Sequence, residues 1–167
     1  MDIRPARSDD VDAIQRVAKR AWDATYDEIL GAETIDETLA EWYSETTLRG
    51  AMDTPGTAFL VADEGGEVTG FCHGVVEQER GDILRMYVDP DRWGEGIGTA
   101  LHERVRNDLL DFNMKELQAI VLADNDIGNE FYRKLGFEKV GEGEVTMGDE
   151  TYTENVYTKR LAESEER

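Results

Sequence analysis

The chain has 167 residues, 40% apolar and 34% charged, enough for one domain with one sizeable core, and no run of roughly 18 apolar residues that would make a membrane span. Its 38 acidic side chains against 18 basic ones leave a formal charge of −20, a surface that repels phosphate backbones and anionic bilayers and so excludes nucleic-acid and membrane binders. The single cysteine, Cys72, excludes an internal disulfide and a multi-cysteine zinc site, and the opening MDIRPARSDD lacks the apolar core of a secretion signal, so a cytoplasmic protein is expected.

In chain order, Asp2 to Ala6 reads as a short strand. Ser8 or Asp9 can cap a helix carrying Val11, Ile14, Val17, Ala18 and Ala21 at helical spacing. A second helical stretch runs from about Ile35 to Leu48. The apolar run Ala58 to Ala62 is a strand, turned at the paired glycines of Asp63 to Glu67 into a hairpin with Val68 to Glu77. Ile83 to Val88 is a strand that enters a glycine-rich loop. A helix follows from about Gly98 to Phe112, with Leu101, Val105 and Leu109 on one face. Leu117 to Leu122 is a strand and Ile127 to Leu135 a short helix. Two final strands follow Gly136 and turn at Gly148 and Asp149. This mixed order predicts a layered α/β (α+β) domain over residues 1–161 with a mixed sheet, followed by a polar tail at 162–167.

The segment Asp89 to Leu101, DPDRWGEGIGTAL, alternates Gly94, Gly96 and Gly98 between a strand and a helix. Such a turn strips one wall of side chains. Its backbone N–H groups, with the unsatisfied N–H groups of the following helix, make an anion site suited to phosphate. It is not a P-loop, which needs a lysine, nor the dinucleotide fingerprint, which needs glycine where Thr99 stands. A plain glycine-rich turn that binds nothing stays open on the glycines alone.

ILRMYVDPDRWGEGIGTAL resembles the acyl-CoA signature of the GNAT superfamily of N-acetyltransferases, [QR]-x-x-G-x-[GA], with Trp93-Gly94-Glu95-Gly96-Ile97-Gly98 as its six-residue core. About 30 residues later, NDIGNEFYRKLGF (Asn125 to Phe137) resembles the family's N-x-x-A-x-x-[FL]-Y-x-K-x-G-F. The order of elements is similar over nearly the whole chain. Two positions depart: Trp93 replaces Gln or Arg, and Gly128 replaces Ala, which should weaken its helix by about 1 kcal/mol or less.

The resemblance implies a three-layer domain with a mostly antiparallel central sheet. It implies an enzyme that takes acetyl-CoA as co-substrate and acetylates a primary amine, a small molecule or a peptide N-terminus, by direct attack in a ternary complex. The pantetheine arm would lie along Met86 and Val88, and the pyrophosphate on the N–H groups of Gly94, Glu95, Gly96, Ile97, Gly98 and Thr99. Asn125 matches the residue that helps hold the cofactor where two strands part. Tyr132 matches the tyrosine that protonates the leaving thiolate, with a core role as the alternative. Arg133 or Lys134 could reach a phosphate or be solvated. Phe131 and Phe137 are expected in the core. No metal is implied. Some relatives pair through their last strands, so a homodimer is possible. A non-catalytic acyl-CoA sensor is the alternative reading, and an interaction protein that lost the cofactor a third.

A general base is not visible, because the strand LQAIVLA carries no carboxylate. Candidates are Glu77, Glu79, Asp82, His73 or an ordered water. His73 and Cys72 alternate, so they face opposite sides of the sheet, and a lone histidine on a strand is more often structural than catalytic. Cys72 is expected to be a small buried hydrophobe, and His102 to lie at the surface or behind the site. Trp22 and Tyr26 share a helix face and could wall an amine site near Asp23 or Glu28; core packing is the alternative there, as for Trp42 and Tyr43. The acids lie along the whole chain, and five of the 18 basic residues are Lys. This composition resembles that of proteins from salt-loving archaea and predicts a fold that weakens at low ionic strength, where self-repulsion is unscreened.

Overall fold

The computed structural model describes residues 1–160; the proposed tail at 162–167 and the domain's last residue, Leu161, lie outside the described residues. The elements are β1 (Asp2–Pro5), α1 (Val11–Leu30), α2 (Ala32–Trp42), α3 (Glu45–Asp53), β2 (Thr57–Glu64), β3 (Glu67–Glu77), β4 (Arg80–Val88), α4 (Ile97–Leu110), β5 (Glu116–Leu122), α5 (Asp126–Lys134), β6 (Glu138–Met147) and β7 (Glu150–Arg160). The periodic residues of α1 are its buried stripe, and the helix stops at Gly31, whose φ of 82° lies in the left-handed region. The single helical stretch expected over 35–48 is two helices. Helix α2 stops at Trp42; Ser44 is extended between the two, and its hydroxyl accepts the Thr47 N–H at 3.2 Å, which caps α3.

The seven strands form one sheet in the order β1-β2-β3-β4-β5-β7-β6. Every neighbouring pair is antiparallel except β4 and β5, which are parallel. Helices α1, α2 and α3 bury Ile14, Trp22, Ile35 and Leu48 with Phe59, Val61 and Phe71 on one face. Helices α4 and α5 bury Leu101, Val105 and Tyr132 with Leu60, Cys72 and Tyr157 on the other, giving the three-layer α+β arrangement. Glycines on β3 let α4 lie close: a Cβ on Gly70 would stand 3.2 Å from Ile97 and Leu101, and one on Gly74 3.0 Å from Val105.

One irregularity positions the site. On β4, Ile83 pairs with Gly74 and Arg85 with His73, so Leu84 is an extra residue, bulged out and 55% exposed. A bulge bends its strand. Pairing with β5 accordingly ends at Ile83↔Ala119, while β5 continues against β7 as far as Leu122↔Glu154. The two parallel strands part, leaving the β4 backbone from Leu84 to Val88 without a neighbour on that side.

Candidate active site at the parting of two strands

A cleft of about 440 Å³ fills the opening, lined by Met86, Val88, Gly94, Gly96, Ile97, Gly98, Thr99, Asn125 and Tyr132 among others. All the expected site residues except Glu95 meet there. The Glu95 carboxylate pairs with Arg92 at 3.0 Å, which leaves only its backbone for a ligand.

The turn is built residue by residue. The Asp89 carboxylate accepts the Asp91 N–H at 3.0 Å, and Pro90 opens a short turn. Gly94 and Gly96 both have φ of 84°, and a Cβ at either would meet nothing within 4 Å. The backbone needs glycine there, and the wall it presents is bare. Gly96 is also the cap residue of α4 and has no side chain to satisfy the helix's first N–H groups. These donors and the positive end of the helix dipole fit a phosphate-bearing ligand. Trp93, the departure from the signature, donates its indole N–H to the Val88 carbonyl at 3.0 Å and so ties the turn back to β4.

Asn125 caps α5: its side-chain oxygen accepts the Gly128 N–H at 2.9 Å, and its amide donates to the Tyr26 hydroxyl at 3.1 Å. The Tyr26 and Tyr87 hydroxyls share a hydrogen bond of 3.0 Å. Burial pushes both phenols above their ordinary pKa, so both are neutral. Tyr132 is also buried, and burial again raises its phenol, yet among the described residues its hydroxyl has no hydrogen-bond partner. A neutral O–H at the wall of the cleft with its proton uncommitted can act as a donor. Phe137 is in the core and Phe131 packs against it. Arg133 and Lys134 are exposed at the end of α5, where Lys134 pairs with Glu130 at 3.2 Å, and neither lines the cleft.

A second cleft of about 340 Å³ is bounded by α1, α2 and the last strands and lined by Trp22, Tyr26, Trp42, Tyr43, Arg85, Tyr87, Ile120, Leu122, Met147 and Glu154, among others. The two clefts share Tyr26, Ile83, Leu84, Arg85, Tyr87 and Ile120, so they join at the parted strands. Trp22 and Tyr26, 4.9 Å apart, are both core and wall. Asp23 is held by Lys19 at 2.9 Å and does not line this cleft, nor does Glu28.

None of the four residues expected as candidate bases lines either cleft. Glu77 and Glu79 stand at the far end of the β3–β4 hairpin, and Asp82 is engaged by Arg80 at 3.2 Å and Gln118 at 3.1 Å. His73 is buried, stacked 4.8 Å from Phe59; burial and the Arg85 charge lower its pKa to about 4. Cys72 lies on the opposite face, its thiol pushed up by burial. His102 is buried too, against Phe137, which packs on Tyr132, so of its two expected places it lies behind the site and not at the surface. The carboxylate in the second cleft is Glu154, which the sequence reading misses; burial raises its pKa. Arg85 and Tyr87 are missed as well. Alternation along β7 gives Glu154 a face, but nothing in the sequence says that α1 crosses that face.

Comparison with known proteins agrees with this geometry. The family model described as "Acetyltransferase (GNAT) family" matches residues 14–137. An acetyltransferase of Pectobacterium atrosepticum is 27% identical over 158 residues, 94% of this chain and 100% of that protein. The PaiA N-acetyltransferase of Thermoplasma acidophilum, solved in complex with coenzyme A, superposes with a TM-score of 0.86 at 24% identity, covering 96% of this chain and 98% of that one. The ribosomal-protein-S18-alanine N-acetyltransferase of Escherichia coli superposes with a TM-score of 0.73 at 18% identity, covering 96% and 94%. With the family model spanning most of its length and the glycine turn, the parted strands and the two joined clefts in place, the chain belongs to the GNAT family of acetyltransferases and is an acyltransferase.

Proposed function

We propose that the enzyme transfers an acetyl group to a primary amine by direct attack, with donor and acceptor bound together in the two clefts. The observation that carries this reading is the wall the clefts share, from Ile83 to Tyr87 on β4 with Tyr26 and Ile120, which lets two ligands meet without a covalent intermediate on the protein. Acetyl-CoA is the co-substrate and supplies an acyl group on a thiol leaving group.

The unpaired β4 edge at Met86 and Val88 holds the pantetheine arm by strand-like hydrogen bonds. The N–H groups from Gly94 to Thr99 hold the pyrophosphate. Asn125 fixes Tyr26 in the shared wall and the first turn of α5. Tyr132 donates its phenolic proton to the departing sulfur, and Glu154, with its raised pKa, takes the proton from the acceptor's nitrogen. The described residues act as one catalytic unit. The enzyme works in the cytoplasm, and its acidic surface serves a high-salt interior. Two copies would pair through β6, the free edge next to β7.

Release of free thiol from acetyl-CoA in molar potassium chloride tests the assignment. Tyr132→Phe lowers kcat by about 10²- to 10⁴-fold while acetyl-CoA still raises the melting temperature. Glu154→Gln lowers kcat at neutral pH, with the loss relieved as the pH approaches the amine's own pKa. Unchanged turnover in either variant removes that residue from the mechanism.

A further inference from the structure

Arg85 lines both clefts. Its guanidinium donates to His73 Nδ1 at 2.7 Å and to the Trp42 carbonyl at 2.8 Å, and it lies 5.2 Å over the Tyr43 ring. All three partners are neutral, and among the described residues Arg85 has no carboxylate partner. Among the described residues Arg16, Lys115, Arg133, Lys159 and Arg160 also lack an ion pair, but none of them lines either cleft; Arg92, which lines the first, is held by Glu64 and Glu95. Arg85 is thus the cation without a carboxylate, among the described residues, that stands in a cleft wall. Glu154 lines the same second cleft, and its carboxylate likewise has no ion pair or side-chain hydrogen bond among the described residues. Two opposite charges thus line one cleft and do not meet. Both residues are half-exposed, and a ligand carrying both signs that filled the cleft would pair with both.

We propose that the acceptor is an amine that also carries a carboxylate, a free amino acid, bound with its carboxylate on Arg85 and its amine toward Glu154. This rests on the second cleft being the acceptor site. Two of the five guanidinium N–H donors are in use, which leaves donors for a carboxylate. The walls between the two charges are apolar (Leu84, Ile120, Leu122 and Met147) and suit an apolar side chain. A di- or polyamine would bring a second positive charge against Arg85 and be rejected by it. The group transfer balances as before: the N–C bond forms, the C–S bond breaks, the amine's proton passes to Glu154 and the Tyr132 proton to sulfur.

The test compares matched acceptors: apolar L-amino acids, their carboxamides and their decarboxylated amines, in the thiol-release assay. The free acids should have the higher kcat/KM by about 10- to 100-fold, although the amide's nitrogen is the weaker base and more often neutral. Arg85→Gln should erase that ratio through KM for the acids, and Arg85→Lys should keep part of it. With coenzyme A present, the acids but not the amides should raise the melting temperature of the native enzyme, and Arg85→Gln should lose this response while its response to coenzyme A alone, the check that it folds, remains. Equal use of acids and amides, or a ratio unchanged in Arg85→Gln, overturns the inference and leaves the transferase reading standing. Silence with every amine overturns both.

Discussion

Gly128 replaces the family's alanine, and helix propensity alone makes that a small loss. The structure reverses the sign. A Cβ at this position would stand 2.6 Å from Asn125 Nδ2 and 2.9 Å from Val121 Cγ1, both held in buried surroundings. Gly128→Ala is therefore expected to destabilise the fold, by about 1 to 3 kcal/mol as overpacking does, and to loosen the Asn125–Tyr26 contact. Thermal melting with and without acetyl-CoA checks it; a more stable variant would show that α5 has room to shift. The same dependence on neighbours separates the site residues that were legible from those that were not. Tyr132, Asn125 and the glycines sit in two local motifs, so their positions in the cleft followed from the sequence. Arg85 and Glu154 belong to no motif. They matter because two strands separated by β5 line one cleft, which is a property of the sheet order.

Among the elements, the turn from β4 into α4 and the bulge at Leu84 do most to make the site. The turn was legible because its glycines answer a local requirement, a left-handed backbone with open space beside it. Gly96→Glu should abolish the rise in melting temperature that acetyl-CoA produces, because the new side chain and its charge enter the proposed pyrophosphate site. A normal response would place the phosphates elsewhere. The bulge was not legible. Leu84 lies in ILRMYV, an uninterrupted strand by pattern, and its displacement follows from pairing with β3, where register shifts between His73 and Gly74. The split of α2 from α3 at Ser44 had a readable signal, a capping residue followed by Thr47, which apolar periodicity through Leu48 obscured.

At the scale of the whole molecule, two histidines tie stability to pH. His73 and His102 are buried on opposite faces of the sheet, and burial, with nearby cations, lowers both pKa values to about 4. The unfolded chain takes up these protons near the ordinary histidine pKa of about 6.5, before the folded protein does. Their stabilisation is therefore complete above that value and is lost as pH falls towards 4, at up to about 1.4 kcal/mol per pH unit for each histidine. Melting temperatures in constant molar salt should decline from pH 7 to 5, and His102→Leu should remove roughly half of the slope, one of two contributing histidines. An unchanged slope would assign the decline to other groups. Asp10, held low first of all by its hydrogen bond from Arg4, adds its loss only at still lower pH.

The sequence by itself determined what depends on near neighbours in the chain: the strand order and the helices apart from the division of α2 from α3, the bare glycine turn before α4 and an acidic surface. Through the family resemblance it marked Asn125, Tyr132 and the glycine turn, which line the first cleft, because they lie in two contiguous segments. The tertiary structure alone decided the second cleft, where we propose the acceptor binds. There β4, β7, α1 and α2, far apart along the chain, converge on one cleft. It also buried His73 and His102 and left the four residues read as candidate bases outside both clefts, since burial and partner choice are set by which surfaces pack together. The parting of β4 from β5 joins the two clefts, and it exists because one residue of β4 has no partner on β3.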